Sequence, residues 1–128
     1  MKTVLVAEDN KDNFELIQMI FDEAPFECRL VRAHTGREVL AMVEKSPPDL
    51  ILMDVVMPDM DGIEATRALR KKFPRGKLPI IALTAQAMAG DREVVLDAGC
   101  DEYLSKPFAI TELLEKVCHF LKIDATAS

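Results

Sequence analysis

Residues 49–62 read DLILMDVVMPDMDG. Leu50 to Met53 is an unbroken apolar run, the pattern of a strand buried on both faces. The run meets Asp54, resumes with Val55, Val56 and Met57, and breaks at Pro58 and the pair Asp61-Gly62. A carboxylate at the tip of so apolar a strand has a plain reading, because Asp is a common turn and helix-cap residue. It also has a chemical reading, and the rest of the chain decides between them.

Around this stretch, four further segments read as strands: Thr3–Ala7 and Cys28–Ala33 before it, Ile80–Leu83 and Glu102–Leu104 after it. Between them, apolar residues recur at helical spacing. Phe14, Ile17, Phe21 and Ala24 mark one helix; Val39, Leu40 and Val43 a second; Ile63, Leu69 and Phe73 a third. Val94, Val95 and Ala98 mark a fourth, with Gly99 placed as its C-terminal stop. Ile110, Leu113, Leu114, Val117, Phe120 and Leu121 form the apolar stripe of a fifth. Strict alternation of apolar strands with helices predicts an α/β fold, a parallel sheet covered on both faces. Five strands in this length suit a doubly wound sheet of order 2-1-3-4-5, with helices on either side. Residues 1–123 form one domain, and 124–128 are expected to fray.

Composition narrows the function. A net charge of −6 disfavours a nucleic acid or an anionic membrane as partner. The acid-free set Arg67, Arg70, Lys71, Lys72, Arg75 and Lys77 reads as a solvated helix face and its exit loop. Cys28, Cys100 and Cys118 lie far apart without a C-x-x-C spacing, which argues against a disulfide framework or a zinc site and suits a reducing cytoplasm. No apolar stretch has the length of a signal peptide core or a membrane span.

In a doubly wound sheet, ligands bind outside the carboxyl ends of the strands, at the switch point between strands 1 and 3. Strand 1 runs into Glu8-Asp9-Asn10, strand 3 into Asp54, strand 4 into Thr84-Ala85, and strand 5 through Ser105 into Lys106-Pro107. Three carboxylates would therefore meet at one edge, beside a hydroxyl and an ammonium. Like charges about 4 Å apart repel by roughly 4 kcal/mol at an effective dielectric near 20. A hard divalent cation and Lys106 would offset this, and oxygen ligands with room for water suit Mg²⁺ better than Ca²⁺. An EF-hand reading of MPDMDG fails, since it puts Met57 and Ala68 at ligand positions. Nucleotide-binding glycine loops are absent, and the acidic loop EDNKDN would repel a flavin phosphate. What remains is a site for phosphoryl transfer onto Asp54, with metal, Lys106 and Thr84 around the transferred group.

Glu8-Asp9, Asp54 followed by VVMPDMDG, Thr84-Ala85 and Lys106-Pro107, in this order, closely resemble the receiver domain of two-component response regulators over essentially the whole chain. The resemblance implies a flavodoxin-like fold and a phosphoryl group accepted on Asp54 from a histidine kinase or histidine phosphotransfer protein. It implies Mg²⁺ ligated by Asp9, Asp54 and the Val56 carbonyl, with Glu8 acting through bound water. Lys106 would pair with phosphoryl oxygens, Thr84 would move toward them, and Tyr103 would turn inward behind Thr84 as an aromatic switch. The switched surface would be the fourth helix, fifth strand and fifth helix, read by a downstream protein target. Lys106-Pro107 resembles the family's cis peptide. Glu8 departs from the commoner Asp at its position.

The same resemblance sets Val56 and Gln86 near the phosphoryl group, where they would tune its hydrolysis. Phe14 and Ile17 are candidate contacts for the phosphodonor, with a core position as the competing reading. His34 and His119 match no family role. With one further helix and a short tail after strand 5, the chain is expected to act as a stand-alone cytoplasmic regulator. On this reading it is no enzyme beyond its own phosphorylation and dephosphorylation. A receiver cut from a hybrid sensor kinase is the alternative. A haloacid-dehalogenase-type phosphatase lacks its D-x-D motif here, and a pseudo-receiver scaffold would not need the full residue set.

Overall fold

The computed structural model describes residues 1–84, 91–106 and 108–123, leaving aside the side chain of Asp91. Strands and helices alternate throughout: β1 (Lys2–Ala7), α1 (Lys11–Asp22), β2 (Cys28–Ala33), α2 (Gly36–Lys45), β3 (Leu50–Asp54), α3 (Gly62–Arg70), β4 (Ile80–Thr84), α4 (Asp91–Ala98), β5 (Glu102–Ser105) and α5 (Ile110–Leu121). The strands form one parallel sheet in the order β2-β1-β3-β4-β5. Register runs from Lys2↔Cys28 to Ala7↔Ala33 on one side of β1, and from Val4↔Leu50 to Ala7↔Met53 on the other. The expected sheet order is therefore the observed one.

Successive strand residues point to opposite faces, so the apolar runs feed two cores. Leu5, Ala7, Ile51, Met53, Ile80 and Ala82 pack with Val39 and Val43 of α2, Ala65 and Leu69 of α3, and Val95 of α4. Val4, Val6, Leu50, Leu52, Ile81 and Leu83 pack with Ile17, Ile20 and Phe21 of α1 and with Leu113, Val117 and Leu121 of α5. Each such aliphatic side chain contributes about 1.5–3 kcal/mol by leaving water. Central strands with water on neither face cannot alternate apolar with polar residues, which is why Leu50–Met53 runs unbroken.

Helix starts are capped locally. Side-chain oxygens of Asn10, Thr35 and Asp61 accept from the backbone N–H groups of Asn13, Glu38 and Glu64. Each cap is worth about 1 kcal/mol. Gly99 ends α4 with φ +124°, and a Cβ there would meet the Arg70 Cγ at 2.4 Å.

Several boundaries differ from those expected. β3 includes Asp54, and β4 includes Thr84, so both polar residues belong to the hydrogen-bonded ladder. Ala24 and Phe73 lie beyond their helices, each just before a proline, whose ring disfavours helical geometry in the preceding residue. Ile110 is exposed at the first turn of α5 rather than part of its buried stripe. Arg70 is not a solvated side chain, and Arg75, though exposed, bonds back to the fold. Arg70 donates to the carbonyls of Gly99, Phe73 and Leu78 and pairs with Asp101 at 2.8 Å. Arg75 donates to the carbonyls of Cys100 and Leu96. Together they fasten the end of α4 to the start of β4. Ala85, Gln86, Pro107 and the tail 124–128 lie outside the described residues. Among the described residues, no helix is long and apolar enough to cross a membrane.

Candidate functional site

The parallel sheet brings all its carboxyl ends to one edge, and there the polar residues meet. Glu8 follows β1 directly, its N–H held by the Ala33 carbonyl at 3.0 Å. Its side chain points inward and is only 1% exposed. Asp9, one residue later, is exposed. Asp54 closes β3 and is buried. Carboxylate oxygens of Glu8, Asp9 and Asp54 lie within 4.8 Å of one another, a constellation able to hold a metal ion.

Lys106 spans the cluster. Its Nζ donates to Glu8 Oε1 at 3.1 Å and to Asp54 Oδ2 at 3.2 Å. The backbone holds the lysine in place, since its N–H donates to the Thr84 carbonyl at 2.6 Å. Burial pushes the Glu8 carboxyl above its ordinary pKa, and the neighbouring Asp54 pushes it further, against the pull of Lys106. Burial lowers the Lys106 pKa, but the charges on Asp54 and Glu8 outweigh it and the ammonium is held more firmly than usual. One cation thus faces more negative charge than it can neutralise.

The loop beyond Asp54 is tightly placed. Asp54 Oδ1 accepts from the Val56 N–H at 3.1 Å, while Val55 N–H donates to Leu83 O and Gly62 N–H to Val55 O. Gly62 sits so close that a Cβ would meet the Asp54 carbonyl oxygen at 2.3 Å. From α2, Gly36 N–H donates to the Met60 carbonyl and Arg37 pairs with Asp59 at 3.1 Å. Asp59 itself takes a left-handed φ of 70°. The Val56 side chain stands 71% exposed beside this edge.

Of the residues expected here, Glu8, Asp9, Asp54 and Lys106 come together, and Thr84 ends the neighbouring strand in register with Ser105. Tyr103 is half-buried on β5 opposite Ala82 and packs with the core beneath α3 and α4. Ile17, at 2% exposure, takes the competing reading and belongs to the core, with only its edge toward the groove between α1 and α5. Phe14 is half-buried beneath the guanidinium of Arg32. Exposed Leu16 and Ile110, with Ile17, Ile20 and Phe108, line a groove of about 350 Å³ running up to Glu8 and Lys106. Leu16 falls off the stripe of Phe14, Ile17 and Phe21, and that phase mismatch was the available signal; Ile110 keeps the phase of Leu113, Leu114 and Val117, so its spacing gave none. His34 lies 3.3 Å from Glu38 and His119 packs edge-on to Phe120, both apart from the carboxylates.

Residues 4–118 match the family model described as the response regulator receiver domain. The chain is 35% identical over 120 residues to the polar-differentiation response regulator DivK of Brucella ovis, covering 94% of this chain and 96% of that one. It superposes on a receiver domain of a Francisella response regulator with a TM-score of 0.85 at 34% identity, covering 95% and 98% of the two chains. The receiver domain of a sensor histidine kinase from Pseudomonas aeruginosa, with a magnesium ion coordinated in its active-site cleft, gives 0.84 at 36% identity over 94% and 98%.

Proposed function

Because the chain belongs to the response regulator receiver domain family of two-component signalling, we propose that it takes a phosphoryl group onto Asp54 and uses it to switch a protein-binding surface. The observation that carries this reading is the cluster of Glu8, Asp9 and Asp54 crossed by Lys106. An all-oxygen donor set with excess negative charge suits a hard cation. Asp9, Asp54 and the Val56 carbonyl would hold Mg²⁺, with Glu8 acting through water. Bound there, the ion supplies positive charge for the oxygens of the transferred group.

In the transfer, an Asp54 carboxylate oxygen bonds to phosphorus as the phosphorus–nitrogen bond of a phosphohistidine breaks. The histidine leaves with the bond's electrons and an acyl phosphate remains. Lys106 exchanges its contact with Asp54 for the arriving phosphoryl oxygens, so the cation is already in place when charge builds up. Rigid ladder bonds of β3 hold Asp54 still for an in-line approach. Thr84 then shifts toward the phosphoryl group, and Tyr103 turns inward behind it, biasing the face made by α4, β5 and α5. A differential of a few kcal/mol changes such populations usefully.

The donor is a histidine kinase or histidine phosphotransfer protein, docking on the groove between α1 and α5 over Leu16 and Ile110. The output is an unidentified protein bound by the switched face. A receiver that belongs to a hybrid sensor kinase would use the same site, a reading favoured by the likeness to the Pseudomonas aeruginosa kinase receiver. Cys28, Cys100 and Cys118, none of them in a disulfide, accord with a cytoplasmic setting. The protein catalyses nothing beyond its own phosphorylation and dephosphorylation.

Incubation with acetyl phosphate and Mg²⁺ should give one adduct, on Asp54. Labelling that persists in Asp54→Asn, or that a chelator leaves undiminished, would refute the assignment.

A further inference from the structure

The acid pair Glu8-Asp9 follows β1, which the edge strand β2 flanks on its outer side. From that strand, Arg32 reaches back to the turn. Its Nε donates to the Glu8 carbonyl at 3.0 Å and its Nη2 to the Asp9 carbonyl at 3.1 Å. The ring of Phe14, 5.3 Å from the guanidinium carbon, lies against the face of the fork. One planar group gripping two consecutive carbonyls leaves the two peptide planes that flank the Asp9 Cα little freedom to rotate. Those planes set the direction in which the Asp9 side chain leaves the backbone.

We propose that Arg32 is a positioning residue for the metal site, holding the Glu8-Asp9 turn in the orientation that lets Asp9 meet the same ion as Asp54. The proposal rests on the metal reading above. Charge alone does not explain the residue, because a cation beside a site for a divalent cation opposes binding. What the guanidinium offers is its geometry: rigid parallel donors, which the point charge of a lysine cannot reproduce. Phe14, on α1, completes the support by fixing the plane of the fork. The metal site is thereby tied to the helix on which the phosphodonor docks.

Arg32→Lys separates geometry from charge, since it keeps the cation and loses the fork. Groups that orient metal ligands typically change affinity 10- to 100-fold when altered. Arg32 acts through the backbone, so the lower end, about tenfold weaker Mg²⁺ binding, is expected from calorimetry of the full chain. Arg32→Met, which also removes the opposing charge, should still weaken binding. In the metal-free protein, Arg32→Lys should move the amide resonances of Asp9 and Asn10 while the thermal midpoint stays near that of the unaltered chain. If Arg32→Met tightens Mg²⁺ binding, charge outweighs geometry and the proposal is overturned. If Arg32→Lys leaves the affinity within about twofold of the unaltered protein while Asp9→Asn abolishes it, the proposal fails and the metal reading stands. If the unaltered chain binds no Mg²⁺, both fall.

Discussion

Replacing Glu8 with glutamine should make the metal-free protein more stable while weakening its hold on Mg²⁺. Glu8 is buried, with its oxygens within 4.8 Å of those of Asp54 and 3.1 Å from the Lys106 ammonium. At an effective dielectric near 20, the repulsion is at least about 3.5 kcal/mol and the attraction about 5 kcal/mol. Their difference, at most roughly 2 kcal/mol in favour of the charge, is smaller than the several kcal/mol lost when a carboxylate leaves water. The raised pKa of Glu8 carries the same sign. Glutamine keeps the shape and an oxygen acceptor for Lys106 but sheds the charge, so a gain of about 1–2 kcal/mol follows. For a chain of this length that is roughly 4–7 °C in thermal midpoint.

The gain should depend on pH. Since Glu8 binds its proton more tightly in the folded than in the unfolded chain, its ionisation costs stability as pH rises from the ordinary value of 4.5 through the folded pKa. Below that window the native protein is already protonated there and the advantage of glutamine vanishes. Above the window it is complete. Thermal unfolding with chelator, at acidic and at neutral pH, measures both ends. A glutamine variant less stable than the native chain at neutral pH without metal would refute the reasoning.

Arg70→Met should cost about 3 kcal/mol in urea denaturation, because it leaves the half-buried carboxylate of Asp101 with only the Ile80 N–H and takes the guanidinium from three carbonyls; a loss under about 1 kcal/mol would mean solvent screens the pair. Val56→Asn should shorten the lifetime of the Asp54 phosphoryl group about 2- to 10-fold, the worth of one hydrogen bond orienting the attacking water. Single-turnover decay that is unchanged or slower would contradict this. Leu16→Ala with Ile110→Ala should impair transfer from a cognate kinase more than labelling by acetyl phosphate, whereas equal loss in both assays would locate the damage in folding.

The sheet and its order were legible because parallel strands buried on both faces leave continuous apolar runs such as Leu50–Met53, with helical spacing between them. The carboxylate cluster was legible for a related reason: doubly wound topology sends every strand's end to one edge, so Glu8, Asp54 and Lys106 are neighbours despite their separation in sequence. Side chains that bond to backbone were not. Arg32, Arg70 and Arg75 find carbonyls, which every residue possesses, so nothing in the surrounding sequence marks their partners. The stripe of Phe14, Ile17 and Phe21 turns Ile17 toward the core and leaves the adjacent Leu16 to water. Ile110 begins its helix and hangs past the edge of the sheet that covers the later turns.

The reach of Lys106 also bears on how the chain folds. The lysine joins β5 to residues 98 and 52 positions earlier in sequence. Contacts so distant form late, after most of the loop-closure entropy has been paid. Until β5 docks, Glu8 and Asp54 face each other without their counter-ion, a half-built sheet that is electrostatically discouraged from closing. A growing polypeptide therefore completes the cluster of Glu8, Asp54 and Lys106 only with β5 in place.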